Sequence, residues 1–255
     1  MTTSRGPARR WLGPFLAAIL GLGFTVAPAS PTSSTGASAA QAYTVEVGGR
    51  GDFVAQANFV QCVGASMQMM LNMIEPGRDR TARTQRRLQE IARTWSGPRP
   101  DGFERQGASV RGWAAGLNLE GAGPYRLVGE ETLQGAMQAA ARAIATTGRP
   151  VGLLVWRGRH AWVMSGFTAT ADPLATDRFE VMRASIHDPL YPHGSKTWGA
   201  SPKPGESVSL KTLGRQFVPR RASTRWIGAG STLGGKYVLV LPYEPDLAAF
   251  TQSVR

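Results

Sequence analysis

Cysteine is almost absent from this chain of 255 residues: there is one, Cys62. A single thiol excludes a disulfide framework within the chain, and equally excludes a multi-thiolate zinc or iron–sulfur site. Histidine is scarce too, with only His160, His187 and His193. No glycine-rich phosphate loop followed by Lys and Ser or Thr occurs, which argues against a P-loop nucleotide-binding module. Neither a cofactor nor a resident metal is expected. Acids are few: 17 Asp and Glu face 29 Lys and Arg, a formal net charge of +12. So basic a chain raises nucleic acid as a partner, but no recognised module or aromatic platform accompanies the charge, and none is expected. Anionic cell-envelope polymers are the partner class that remains. With 42% hydrophobic and 18% charged residues, the chain is neither a disordered tail nor a membrane bundle. It is long enough to bury a real core.

The first thirty residues read as an export signal. Arg5, Arg9 and Arg10 form a basic start without an acid, and the apolar run Leu12 to Ala27 follows. That run holds Pro14 and three Gly, and it falls short of the roughly twenty apolar residues of a membrane span. Ala27-Pro28-Ala29 supplies a small-x-small cleavage pattern, so residues 1–29 are expected to be a signal peptide. The protein is then secreted or associated with the cell envelope. Residues 30–42, uncharged and rich in Ala, Ser and Thr, read as a flexible spacer. A second cleavage pattern, Ala40-Gln41-Ala42, leaves the mature start open. The globular domain is expected over 43–247 and a tail over 248–255.

Helical spacing comes first within that domain. Val63, Met67, Met70, Leu71 and Ile74 mark one helix, stopped at Pro76-Gly77. Leu88, Ile91, Ala92 and Trp95 mark a second, and Leu133, Met137, Ala140 and Ile144 a third; a shorter one is expected over 109–117. The period then changes. VGLLVW (151–156), HAWVMSGFTAT (160–170), FEVMRASIHD (179–188) and YVLVL (237–241) read as strands. A Gly/Pro/Ser/Lys-rich stretch over 191–235 joins the last two and is too long for a bare hairpin loop. Helices first and strands second predict an α+β domain rather than a doubly wound sheet. Met67, Met69, Met70 and Met73 read as core packing, Arg50-Gly51-Asp52 as a turn, and the basic run 78–87 as a solvated helix face.

Cys62 falls at the start of the strongest predicted helix, where the positive end of the macrodipole favours thiolate. The alternative is a buried structural cysteine. Export favours the reactive reading, because an idle exposed thiol outside the cell invites oxidation. A nucleophile needs a base, and His160, opening a strand after the turn Arg157-Gly158-Arg159, is placed to meet a helix terminus. His187 and Asp188 are neighbours on a strand and point to opposite faces, so only one can line the cleft. Asp188, followed by Pro189, suits the group that orients an imidazole, with a turn starter as its other reading. His193 lies in a loop, and a metal cluster of His187, Asp188 and His193 lacks ligand spacing. For an oxyanion, the Cys62 N–H and a glutamine side chain are donors; Gln56 and Gln61 both qualify by type. Trp162, which shares a strand face with His160, and Trp198, in a loop, are candidates to shield the His–Asp pair or to line the cleft.

A Gln six residues before a helix-opening Cys, then Ala-Ser and a Met-rich helix, resembles the papain-like cysteine peptidases. The similarity is to the branch of bacteriocin leader (double-glycine) peptidases, in a stand-alone secreted form. GRHAWVMSGF, with His160 and Gly166, and SIHDPLY, with Asp188 and Pro189, match its base and third-member stretches, in the order Cys, His, Asp. The resemblance implies a papain-like fold, with a helical half carrying Cys62 and an antiparallel sheet carrying His160 and Asp188. It implies Cys62 as nucleophile, His160 as base, Asp188 as orienting carboxylate and Gln56 as oxyanion side chain. The chain departs from the pattern at Val63, where a Gly usually follows the Cys and the larger side chain could narrow the cleft, and at Arg159, where Gly usually precedes the His. The expected activity is hydrolysis of peptide or isopeptide bonds through a thioester, on a peptide or protein substrate, by a monomer. The alternatives are a peptide-binding protein on the same scaffold and an acyl transferase that resolves the thioester with an amine.

Overall fold

The structure is a computed structural model that describes residues 42–75, 77, 79–98, 106–222 and 233–245. The expected signal peptide (1–29), the spacer up to residue 41 and the tail (248–255) lie outside the described residues. Among the described residues no helix is long and apolar enough to cross a membrane.

Strand β1 (Tyr43–Glu46) leads through a 3-10 turn at Arg50–Asp52 into helices α1 (Cys62–Ile74), α2 (Ala82–Thr94) and α3 (Val110–Leu119). Strand β2 (Tyr125–Glu130), helix α4 (Leu133–Thr147) and strands β3 (Val151–Val155), β4 (His160–Ala169) and β5 (Val181–His187) follow. The stretch expected as a long loop holds β6 (Gly194–Ser195), β7 (Gly199–Ala200), β8 (Glu206–Ser209) and α5 (Leu210–Leu213), and β9 (Tyr237–Pro242) comes last. The helices begin where side-chain oxygens satisfy their first N–H groups: Thr81, Ser109 and Thr132 cap α2, α3 and α4. Helix α4 closes on Gly148 in the left-handed region at φ 64°, a conformation only glycine adopts without strain.

Six strands run in the order β2-β9-β3-β4-β5-β8, and β1 adds to β4; every pairing is antiparallel. The domain is α+β, as the pattern of helices and strands predicts. Strand β9, last in sequence, lies inside the sheet between β2 and β3. Its residues are apolar without alternation because helices cover both faces. Leu239 and Leu241 pack with Met137, Ala140 and Ile144 of α4 on one side. Val238 and Val240 pack with Met67 and Met70 of α1 and with Trp113 and Leu117 of α3 on the other. The four methionines of α1 divide as core residues do: Met67, Met69 and Met70 are fully buried, and Met73 packs against the same cluster. On α2, Arg83, Arg86 and Arg87 are exposed, and Arg87 forms a bidentate pair with Glu120 at 2.6 and 2.7 Å.

Candidate active site

Cys62 opens α1 and is partly buried. Two glutamines of α2 hold the loop that delivers it. Gln89 Oε1 accepts from the Gly64 N–H at 2.9 Å while its Nε2 donates to the Val60 carbonyl at 3.0 Å. One turn earlier Gln85 accepts from the Ala57 N–H at 2.7 Å and donates to the Ala55 carbonyl at 2.9 Å. Both amides are buried, and they supply the backbone partners that a loop lacks. The close approach needs Gly64, since a Cβ there would sit 2.7 Å from the Gln85 carbonyl. Val63 does not narrow a cleft beside the thiol: it is 3% exposed and packs into the core beneath α1. The second turn of α1 is pinned to the start of β4 by Ser66, whose hydroxyl reaches the Ala161 carbonyl at 3.4 Å.

That start of β4 is His160, buried at 4% exposure. Its Nε2–H donates to Asp188 Oδ1 at 2.6 Å. Asp188 is fully buried, and the same Oδ1 accepts from the Leu190 N–H at 2.8 Å, so the turn after Pro189 orients the carboxylate. Cys62 is the second group that acts on the ring, and like Asp188 it raises the imidazole pKa. Burial, the largest influence, pushes the His160 pKa down; the hydrogen bonds and charges of Asp188 and Cys62 outweigh it and raise it to about 9. An imidazole that stays protonated to that pH is the counter-ion a thiolate requires.

The neighbouring histidine faces the other way. His187 pairs with Val163 across the strands, is fully buried, and shares a hydrogen bond with the Ser165 hydroxyl at 3.1 Å. Burial drives its pKa down to about 4, with the charge of Asp52 opposing only weakly, so the ring is neutral. His193 is exposed in its loop. No three His, Cys, Asp or Glu side chains gather as a metal site among the described residues.

Gln56 is drawn to the corner that carries Asp188: its backbone N–H donates to the Pro189 carbonyl at 2.8 Å. Its side-chain Nε2 donates to the Asn58 carbonyl at 2.8 Å, which occupies one of its two N–H groups. Gln61 is the residue before α1 and makes no capping bond with its side chain. The Gly64 and Ala65 N–H groups are taken, by Gln89 and by the Gln61 carbonyl, and the Cys62 N–H has no partner among the described residues.

The aromatic ring on His160 is Trp156, not the expected Trp162. The indole stacks on the imidazole with centroids 4.2 Å apart. It folds back over the first residue of β4 because the turn between β3 and β4 runs through the left-handed region. Trp162, two residues further on, is 1% exposed and lines a pocket of about 200 Å³ with Ser201, Val208, Leu213 and Gln216. Trp198 packs at the edge of the core that α4 covers.

Gln85, Gln89 and Trp156 are not among the expected site residues, yet the sequence marks their positions. Gln85 and Gln89 share a helix face with Leu88 and Ala92, where amides do not belong unless they have partners. Trp156 sits in a tight strand-to-strand turn, where Asn, Asp or Gly is usual. No family model matches the chain, and no curated protein or solved structure matches it.

Proposed function

We propose that this protein is an exported papain-like cysteine peptidase, similar to the stand-alone relatives of the bacteriocin leader peptidases, that hydrolyses peptide or isopeptide bonds. One observation supports the reading: a single buried imidazole donates to a buried carboxylate at 2.6 Å and has its pKa raised by that carboxylate and by the only thiol of the chain. The thiol heads a helix packed on an antiparallel sheet, with His160 opening one strand and Asp188 directly after another, and this arrangement supports the reading.

In this mechanism His160 takes the proton of Cys62, giving thiolate and imidazolium. The sulfur attacks the carbonyl carbon, and its C=O electrons move to the oxygen. The Cys62 N–H and the second N–H of the Gln56 amide receive that oxyanion. Collapse expels the amine, which takes the imidazolium proton and leaves a thioester. Neutral His160 then takes a proton from water, hydroxide attacks the thioester, and the acid product and free thiol return. Asp188 holds the Nε2–H and stabilises each imidazolium that forms.

The test is cleavage of a mixed peptide library, read by mass spectrometry, by wild type and Cys62→Ala. Products that vanish in a folded Cys62→Ala protein support the reading; products that persist there, or none from wild type, overturn it. Added primary amine that becomes covalently incorporated would assign acyl transfer instead of hydrolysis.

A further inference from the structure

We propose that Trp156 is a positioning residue for His160, stacked on the imidazole by a strained turn and locked there by Gln216; the proposal rests on the peptidase reading of the site. The two rings lie 4.2 Å apart and within 22° of parallel. The turn that achieves this is unfavourable. Trp156 and Arg157 have φ of 56° and 57°, left-handed values at which a bulky side chain is strained. Left-handed positions in a turn between strands ordinarily take Asn, Asp or Gly.

Gln216 makes three bonds here, two of them to Trp156. Its carbonyl accepts from the Trp156 N–H at 2.9 Å, and its Oε1 accepts from the indole Nε1–H at 2.9 Å. Its Nε2 donates to the Ala200 carbonyl at 3.1 Å, which ties the clamp to the loop after Asp188. Gln216 and Trp156 are both buried, so loosening the clamp would leave polar groups without water.

The stack supplies what Asp188 cannot. The carboxylate fixes one nitrogen, but rotation of an imidazole about its Cβ–Cγ bond is soft. A ring face fixes the plane of the imidazole, and with it the direction of the nitrogen that Asp188 leaves free. The titratable groups acting on the imidazole are Asp188 at the end of β5 and Cys62 at the start of α1. Trp156 adds no charge; it adds a π face that attracts imidazolium and keeps water off it.

The experiment is an NMR titration of the His160 ring in wild type, Trp156→Phe and Trp156→Leu, with the signal assigned by its loss in His160→Gln. Leu keeps the site covered and removes the π face; Phe restores the face. The wild-type midpoint is expected at about 9, with Phe close to it. Leu should lie lower by about one pH unit, roughly tenfold in proton affinity, with kcat reduced and KM unchanged. Gln216→Leu, which leaves the indole and removes its acceptor, should move the midpoint the same way and serves if Trp156→Leu does not fold. A midpoint at about 9 that neither variant moves overturns the positioning role alone. A wild type that cleaves no peptide overturns the peptidase reading and the positioning role with it.

Discussion

His160 and Asp188 meet at 2.6 Å although 28 residues separate them, and Asp188 reaches the imidazole while its neighbour His187 turns away to Ser165. The alternation of one strand makes this selection: Ile186 and Asp188 share a face, and His187 takes the other. A buried carboxylate with an imidazolium beside it is stable only while the pair is intact.

The two neighbours therefore separate function from stability. Asp188→Ala is expected to lower kcat by roughly a hundredfold or more, the scale of other third-member losses. Asp188→Asn should fall between, since its carbonyl can still accept both bonds but carries no charge. His187→Ala should change kcat by less than about threefold, yet destabilise the fold by roughly 2–4 kcal/mol through its cavity and the orphaned Ser165 hydroxyl. Steady-state kinetics beside chemical denaturation checks both. An essential His187 with a dispensable Asp188 would contradict the geometry.

Raising the pH removes the imidazolium. The folded His160 pKa is about 9 against 6.5 for the free side chain, so its contribution to stability is complete below about 6.5 and disappears as pH rises through about 9. Peptidase activity should fall over the same upper limb. Denaturation midpoints and kcat/KM measured from pH 6 to 10 read both losses. His160→Gln should flatten the high-pH loss of stability.

Acid acts through His187 with the opposite sign. Its folded pKa is lowered to about 4, so the unfolded chain binds a proton that the folded one refuses. The stability of the neutral buried ring is complete above about 6.5 and is lost as pH falls toward 4. His187→Asn, which does not titrate, should weaken the slope of stability against pH in that window.

The glutamines of α2 should govern the nucleophile without touching substrate. Gln89→Leu removes the partners of the Gly64 N–H and the Val60 carbonyl, and is expected to cost roughly 1–3 kcal/mol of stability. Loss of order in the loop should also lower kcat. The surface change Arg86→Gln on the same helix should alter neither, and thermal melts with parallel turnover assays compare the two.

The helices and the strands β3, β4, β5 and β9 were legible because their apolar residues recur at clear periods, with caps such as Thr132 and Gly148 at the helix ends. Cys62, His160 and Asp188 were legible by residue type and strand alternation. Strands β2 and β8 lack a period to read. Strand β8 is Glu-Ser-Val-Ser, an edge strand after Pro202, Pro204 and Gly205 in which only Val208 is buried. Strand β2 carries Arg126 and Gly129 and gains its place by pairing with β9 from far along the chain. The partners Gln89 and Gln216 are set by tertiary contacts between elements, and local propensity does not encode such contacts.

The central claim is that His160 makes the one thiol of the chain a nucleophile, and alkylation tests it without knowledge of the substrate. The measurement is the second-order rate of Cys62 modification by iodoacetamide at pH 6 in wild type and in His160→Ala, with mass spectrometry to count the label. Thiolate paired with imidazolium should make the wild-type rate at least about tenfold faster than that of the variant. Equal rates in the two folded proteins, both no faster than free cysteine, would contradict the account.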